Sequence, residues 1–468
     1  MENKIKIIYK KENEIAFMFS SGLDLRVGDC FKIEDGSYCC IAQIFDLQYS
    51  DFPGFFASLL REIAAGADVL APQSELANYY NSVRDARIAR CKIRGNLINS
   101  NFLLGSTILP SRNSKVSVIP EDNVAKLIGF KPKKPAQIGK FLKTNSEFNL
   151  DLTGLQGITL ITGKKGSGKS HLSKKIVEEL IKNKAPIVIL DVNGEYSGLK
   201  EKESGGKSSY HDLIIELIPT KNFLIPLDGI RFETFARMCQ IDDSHNAYRL
   251  FSRYWNENRE GKDLDNLQDY IEESGSHQNT VTAAVGRIEF AKSLNIFGDF
   301  DLSKDLKKVK SSGGAIIINM FAQGQKVKEL SIVYVLNQLI RAGEYDKGRI
   351  FLFAEEAQNY FEEEFWDDVI TRMRHLGIYS VIITNEPTTL PEMVFRQCDN
   401  LFAFNFSNSA DISFISKAQV IDPESLLILK NLGRGEAVLI GQATNNFPFV
   451  IKVDQIKVKA GGETKLLW

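Results

Sequence analysis

Cysteine is sparse and unpatterned in this chain. Its six cysteines (Cys30, Cys39, Cys40, Cys91, Cys239 and Cys398) are scattered with no C-x-x-C spacing, which argues against both a zinc site and a disulfide framework. Long apolar runs are missing too: none reaches 18 residues, and the N-terminal Met-Glu-Asn-Lys has no apolar signal region. Neither a membrane span nor a secretory leader is expected, and a reducing, cytoplasmic location is. Charge of one sign is also absent. With 58 Lys and Arg against 59 Asp and Glu, the formal net charge is −1. Any contact with nucleic acid must therefore come from a local patch or a ring lumen. No internal repeat is evident. What remains is an ordinary globular composition, 43% hydrophobic and 25% charged over 468 residues, with room for two or three domains.

The most informative segment is Gly163-Lys164-Lys165-Gly166-Ser167-Gly168-Lys169-Ser170, which fits G-x-x-x-x-G-K-[ST]. An apolar run, Ile158–Thr162, precedes it, and Leu172, Ile176 and Leu180 after it share one helical face. Strand, glycine-rich loop and helix form the context this phosphate-binding motif requires. The glycines let backbone N–H groups converge on phosphate oxygens, and the helix presents its positive end to the same anion. Lys169 would reach the β- and γ-phosphates, and the Ser170 hydroxyl would hold Mg²⁺. Residues Gly163 to Ser170, with His171 beyond them, are the expected ATP-contacting stretch.

Residues 1–130 read as a small β-barrel. Short strand-like runs (Ile5–Tyr9, Ile15–Phe19, Asp29–Ile33, Tyr38–Leu47, Ala89–Gly95) are separated by turn signals and interrupted by helical stretches at Phe55–Ala65 and Gln73–Ser82. Phe130-Lys-Pro-Lys-Lys-Pro-Ala-Gln137 reads as a solvated linker, placed at 131–145. From there to about 455, strands alternate with helices. The strands are Ile158–Thr162, Ile187–Asp191, Ala315–Met320, Ile350–Ala354, Tyr379–Thr384, Leu401–Phe406 and Ala437–Gly441. Several are almost wholly apolar, as strands covered on both faces should be, so the expectation is an α/β domain with a mainly parallel sheet. A polar helical stretch at about 228–300 reads as an insertion, and 456–468 as a tail whose apolar end, Leu466-Leu467-Trp468, would strap onto a neighbouring subunit.

Hydrolysis needs more than a phosphate loop. The strand Ile350–Ala354 runs into Glu355-Glu356-Ala357-Gln358. Glu355 would hold the Mg²⁺ shell and Glu356 would polarise the attacking water. Asn385, at the tip of the next strand, would orient that water; a plain turn asparagine is the alternative. Asp191-Val-Asn-Gly-Glu-Tyr196 follows a strand at the edge where ligands bind. Asp191 or Glu195 would act there, unless the segment is only a turn capped by Asn193. Arg372 and Arg374 lie on a helix with Phe365, Trp366, Val369, Ile370 and Met373 on its other face. Arg374 is the candidate to neutralise transition-state charge, in cis or across a subunit boundary. Lys207 in the loop Glu201–Tyr210, and Lys326 and Lys328 in Phe321–Lys328, are candidate DNA contacts.

Together these motifs resemble the HerA family of the HerA–FtsK class of ring ATPases. The family's D-P-H-G-E-Y appears as Asp191–Tyr196, its E-E-A-H as Glu355–Gln358, and its G-R-K-x-G-V as Met373–Ile378. S-Q-R-P appears as Thr384–Pro387 and L-x-x-G-E-A as Leu432–Ala437. Gln358 stands for histidine, Asn385 for glutamine, Glu386 for arginine and Asn193 for histidine. Gly157 fills the place of an arginine that in some relatives reaches a neighbour's nucleotide. The resemblance implies a RecA-like P-loop core behind a HAS-type β-barrel. It also implies a homo-hexameric ring that threads double-stranded DNA through a central channel by ATP hydrolysis, together with a partner: a NurA-like nuclease in end processing, or an effector such as a Sir2-like NAD-degrading protein in anti-phage defence. A ring that only scaffolds and regulates such an effector is the alternative. An FtsK- or conjugation-type pump would be expected to bring membrane segments or a winged-helix domain beyond Trp468, and a small-molecule kinase would not need the Glu355-Glu356 pair.

Overall fold

The computed structural model describes residues 5–19, 22–36, 38–49, 87–98, 101–105, 108–258, 261–345, 348–359, 370–406, 408–456 and 458–459. The helical stretches expected at Phe55–Ala65 and Gln73–Ser82, the positions of Phe365, Trp366 and Val369, and the tail beyond 459 lie outside them. The chain divides into two compact units: residues 1–153 with 403–416 and 420–453, and residues 154–402 with 417–419 and 454–468.

In the first unit, strands β1 (Lys6–Lys11), β2 (Glu14–Phe19), β3 (Cys30–Asp35), β4 (Tyr38–Tyr49), β5 (Arg87–Ile98), β6 (Asn101–Leu104) and β7 (Lys115–Ile119) form an antiparallel half-barrel. Its order is β1-β2-β5-β4-β3-β7, with β6 on β5. Alternate apolar side chains, among them Ile15, Phe17, Phe31, Ile33, Ile44 and Ile93, fill its interior. After α1 (Glu121–Leu127), the expected linker is instead a β-hairpin, β8 (Pro135–Phe141) and β9 (Glu147–Asp151). The composition misled because Pro135 takes the first position of β8, where a missing N–H costs nothing. β8 pairs with β18 (Phe449–Val453), and β18 pairs with β17 (Glu436–Gly441). Phe130, Phe141 and Phe148 gather on Phe449, with ring centroids 5.2–6.0 Å from it. This aromatic burial joins residues 130–151 to β18, so the compact unit extends past residue 130 and takes in part of the stretch assigned by sequence to the ATPase domain.

A buried ion network in the same unit ties β5 to the helix at Pro423–Leu429. Arg94 donates to Gln43 Oε1 at 2.9 Å, to Asp422 Oδ2 at 2.6 Å and to Ser425 Oγ at 2.7 Å. Asp422 also caps that helix by accepting from the Ser425 N–H at 2.8 Å.

In the second unit, β10 (Ile158–Thr162), β11 (Pro186–Asp191), β12 (Ile214–Leu217), β13 (Gly314–Asn319), β14 (Ile350–Glu355) and β15 (Ile378–Thr384) lie parallel in the order β12-β13-β11-β14-β15-β10. The near-continuous apolar sequences of β10, β11, β13 and β14 match their burial on both faces. Between β12 and β13 come helices α2 (Phe232–Met238), α3 (Asn246–Glu257), α4 (Leu264–Glu272), α5 (Gln278–Ser293) and α6 (Leu302–Ser312). The first four make up the polar helical insertion that the sequence indicates. No helix among the described residues is long and apolar enough to cross a membrane.

Candidate active site

Parallel strands bring their carboxyl ends to one edge, and the motif residues meet there. Thr162 of β10 lies beside Thr384 of β15, and Glu355 of β14 beside Ile383. Leu190 of β11 lies beside Ala354, so Asp191 follows at the same level. The phosphate loop, Glu355-Glu356, Asn385 and Asp191–Tyr196 therefore share one rim.

β10 turns into the loop through Gly166 and Gly168, whose φ values of 76° and 122° a side chain would strain. The helix Lys169–Lys182 then starts with no side-chain cap, leaving its first N–H groups for an anion. Lys169 is nearly buried. Its Nζ donates to the Gly163 carbonyl at 2.7 Å and to the Lys164 carbonyl at 3.1 Å. Burial pushes its ammonium pKa down, while Glu356, Glu195 and Glu355 pull it back up. The Ser167 hydroxyl is buried and meets no hydrogen-bond partner among the described residues. A buried orphan inside a glycine-rich loop, beside a buried ammonium, is the donor set a phosphate chain would satisfy. Ser170 is half-buried at the helix start, while Lys164, Lys165, Gly166 and His171 are exposed.

Glu355 ends β14 almost fully buried, and burial with the nearby Glu195 and Asp191 drives its carboxyl pKa well up. A divalent cation held there and by Ser170 would relieve that crowding. Glu356 follows with φ of 48°, a left-handed conformation uncommon for a residue with a Cβ. Its Oε2 accepts from Gln358 Nε2 at 2.6 Å and its Oε1 from Asn385 Nδ2 at 3.3 Å. Thr384 Oγ1 donates to Gln358 Oε1 at 2.9 Å. The Asn385 carbonyl oxygen is buried and has no hydrogen-bond partner among the described residues. Two positions that depart from the family motifs, Gln358 and Asn385, thus clasp one carboxylate. Sequence flagged each singly; no spacing rule shows that they converge.

The Asp191–Tyr196 segment is a turn organised by Asp191. That side chain accepts from the Glu195 and Tyr196 N–H groups, each at 2.9 Å. Asn193 caps no helix. Glu195 pairs with the buried Lys174 at 3.3 Å, and Tyr196 shares a 2.7 Å hydrogen bond with Ser173. Lys174, one turn past the phosphate loop, was not singled out by sequence because basic residues on a helix face are commonly solvated.

Arg374 does not join this rim. It precedes β15, whereas Asn385 follows it, and seven extended residues between them span ~23 Å. The arginine sits at the amino edge and pairs with Asp399 at 3.2 Å, so action in cis on this chain's own phosphate loop is excluded by strand direction. Asp399 also accepts from the Ile158 N–H at 2.9 Å. A Cβ at position 157 would lie 2.1 Å from its Oδ2, so the close approach of Asp399 requires glycine there. Of the candidate DNA contacts, Lys326 is engaged with the Met238 carbonyl at 3.0 Å and lies over the Phe290 ring. Residues 201–207 form an exposed hairpin that pairs with Val458 of the same chain, so the start of the tail docks on its own subunit.

Residues 136–340 match the family model described as the helicase HerA central domain. Over this central stretch the chain is similar to HerA-type helicases. It is 23% identical over 364 residues to the DNA double-strand break repair helicase HerA of Sulfolobus acidocaldarius, covering 70% of each chain. It is 24% identical over 336 residues to a probable helicase of Methanocaldococcus jannaschii, covering 64% of this chain and 62% of that one. The solved VirB4 of Thermoanaerobacter pseudethanolicus shares the fold, with a TM-score of 0.53 at 13% identity over 70% of this chain and 98% of that chain.

Proposed function

We propose that this chain is a HerA-family ATPase, a double-stranded DNA translocase that works as a hexameric ring with a partner nuclease or other effector enzyme, in DNA end processing or anti-phage defence. The observation that carries the reading is the shared rim of Lys169, Glu355, Glu356 and Asn385 at the carboxyl edge of one parallel sheet. The relatives named as helicases support the DNA substrate.

In this reading the loop amides and Lys169 bind the phosphates of ATP; Ser170 and Glu355 would hold Mg²⁺, which would supply neutralisation of phosphate charge. Glu356 takes a proton from water as the water oxygen bonds to the γ-phosphorus. The bond to the β–γ bridging oxygen breaks, and ADP and phosphate leave. Asn385 orients the water. Arg374, at the far edge of its own sheet, would serve a neighbouring subunit's nucleotide.

The test is ATP hydrolysis with and without linear double-stranded DNA, beside Glu356→Gln. Stimulation by DNA and an inactive variant support the motor. Slow turnover indifferent to DNA refutes it and favours the alternative, an ATP-binding ring that assembles and regulates its effector. The clasped Glu356 and the net charge of −1 are the observations on that side.

A further inference from the structure

We infer that Gln358 is a positioning residue for hydrolysis: it pins the Glu356 carboxylate by one oxygen and so decides which oxygen meets the attacking water. The inference rests on the reading of Glu356 as the base.

The two hydrogen bonds to Glu356 are unequal. Gln358 Nε2 donates to Oε2 at 2.6 Å, a short charge-assisted contact, whereas Asn385 Nδ2 donates to Oε1 at 3.3 Å, a long one. A glutamate side chain loses substantial rotamer freedom when fixed, and the Gln358 bond is what fixes this one. Oε1, held only loosely, is the oxygen a water can take over. The Asn385 carbonyl oxygen beside it is buried and has no partner among the described residues. A water donating one hydrogen to Glu356 Oε1 and the other to Asn385 Oδ1 keeps a lone pair for phosphorus.

Gln358 is itself oriented. The Glu386 N–H donates to Thr384 Oγ1 at 3.0 Å, and that hydroxyl donates to Gln358 Oε1 at 2.9 Å. With its carbonyl engaged by Thr384, the amide must turn its NH₂ toward Glu356. The relay thus runs from the β15 tip through Thr384 and Gln358 to the base, and the left-handed backbone at Glu356, with φ of 48°, brings the carboxylate to it.

The experiment measures kcat and KM for ATP, and binding of a non-hydrolysable ATP analogue, on the full chain. Gln358→Met keeps the size and removes donor and acceptor; it should lower kcat by ~10–100-fold, the scale of a misplaced catalytic group, with analogue affinity within about twofold because Gln358 touches no loop residue in the hydrogen bonds described. Thr384→Val should lower kcat in the same direction. Adding it to Gln358→Met should cost nothing further, because Thr384 acts through Gln358. Gln358→His, the family's residue, offers one N–H donor and one acceptor nitrogen and should restore most of the turnover. An unchanged kcat in Gln358→Met, a loss confined to KM, or full additivity with Thr384→Val would overturn the inference. If Gln358→Met does not fold, Thr384→Val and Gln358→His decide by the same criteria. Wild-type turnover in Glu356→Gln sinks the base reading and this inference with it; an inactive Glu356→Gln beside a wild-type Gln358→Met sinks only the positioning role.

Discussion

Substituting alanine at Gly157 should destabilise the ATPase sheet although glycine-to-alanine exchanges are often benign. The backbone there is in an ordinary region, so strain is not the cause. The added Cβ would stand 2.1 Å from Asp399 Oδ2 and 2.7 Å from its Cγ, and Asp399 must retreat by roughly 1 Å to reach a tolerable contact. That carboxylate accepts from the Ile158 N–H at 2.9 Å and pairs with Arg374 at 3.2 Å. Overpacking costs about 1–3 kcal/mol, and a buried N–H left without its acceptor about 1–3 kcal/mol. The stiffer unfolded chain returns only about 0.4–1 kcal/mol. The expected net loss is about 2–4 kcal/mol, read from urea unfolding followed by circular dichroism. Asp399→Ala removes the obstacle and also the acceptor, so Gly157→Ala should cost almost nothing in that background. A Gly157→Ala variant within about 0.5 kcal/mol of wild type, or costs that simply add in the double variant, would refute the reasoning. Gly157→Arg, which meets the same clash with Asp399, should lose stability rather than gain turnover.

Asp422 supplies a pH prediction. Burial pushes its carboxyl up, but Arg94, the Ser425 N–H and Lys92 outweigh burial and hold it at about 2 against an ordinary 3.8. A depressed native pKa stabilises the fold above the unfolded value and loses that contribution as pH falls through about 4 to about 2. The difference corresponds to about 2 kcal/mol, and Asp422→Asn should flatten the acid limb of a stability–pH profile. Phe449→Ala empties the centre of the aromatic cluster with Phe130, Phe141 and Phe148 and should cost about 3–5 kcal/mol in the same unfolding assay. Lys169→Ala should weaken ATP binding at least about tenfold by equilibrium dialysis, because the buried ammonium is the cation nearest the loop carbonyls it now bonds.

Local chemistry made much of this protein legible in one dimension. The phosphate loop is contiguous, so its glycines, Lys169 and Ser170 announce themselves wherever they occur. The apolar runs at 158–162, 187–191, 315–320, 350–354 and 379–384 could only be strands buried on both faces, and all are. Parallel strands with motif residues at their carboxyl ends must place those residues on one rim. The same polarity, applied to Arg374 ahead of β15, already puts that arginine on the opposite edge. Tertiary structure decided what depends on distant partners. Composition marks 131–145 as a linker, yet 135–141 is strand, because residues 139–141 pair with β18 and Phe141 packs on Phe449, partners some 300 positions away. Gly157 owes its identity to Asp399, and Glu356 owes its orientation to Gln358, Thr384 and Asn385, which meet only after two strands align in register. A hydrogen bond of 3.3 Å between residues 29 positions apart has no periodicity or spacing to betray it; it exists only once the sheet has formed.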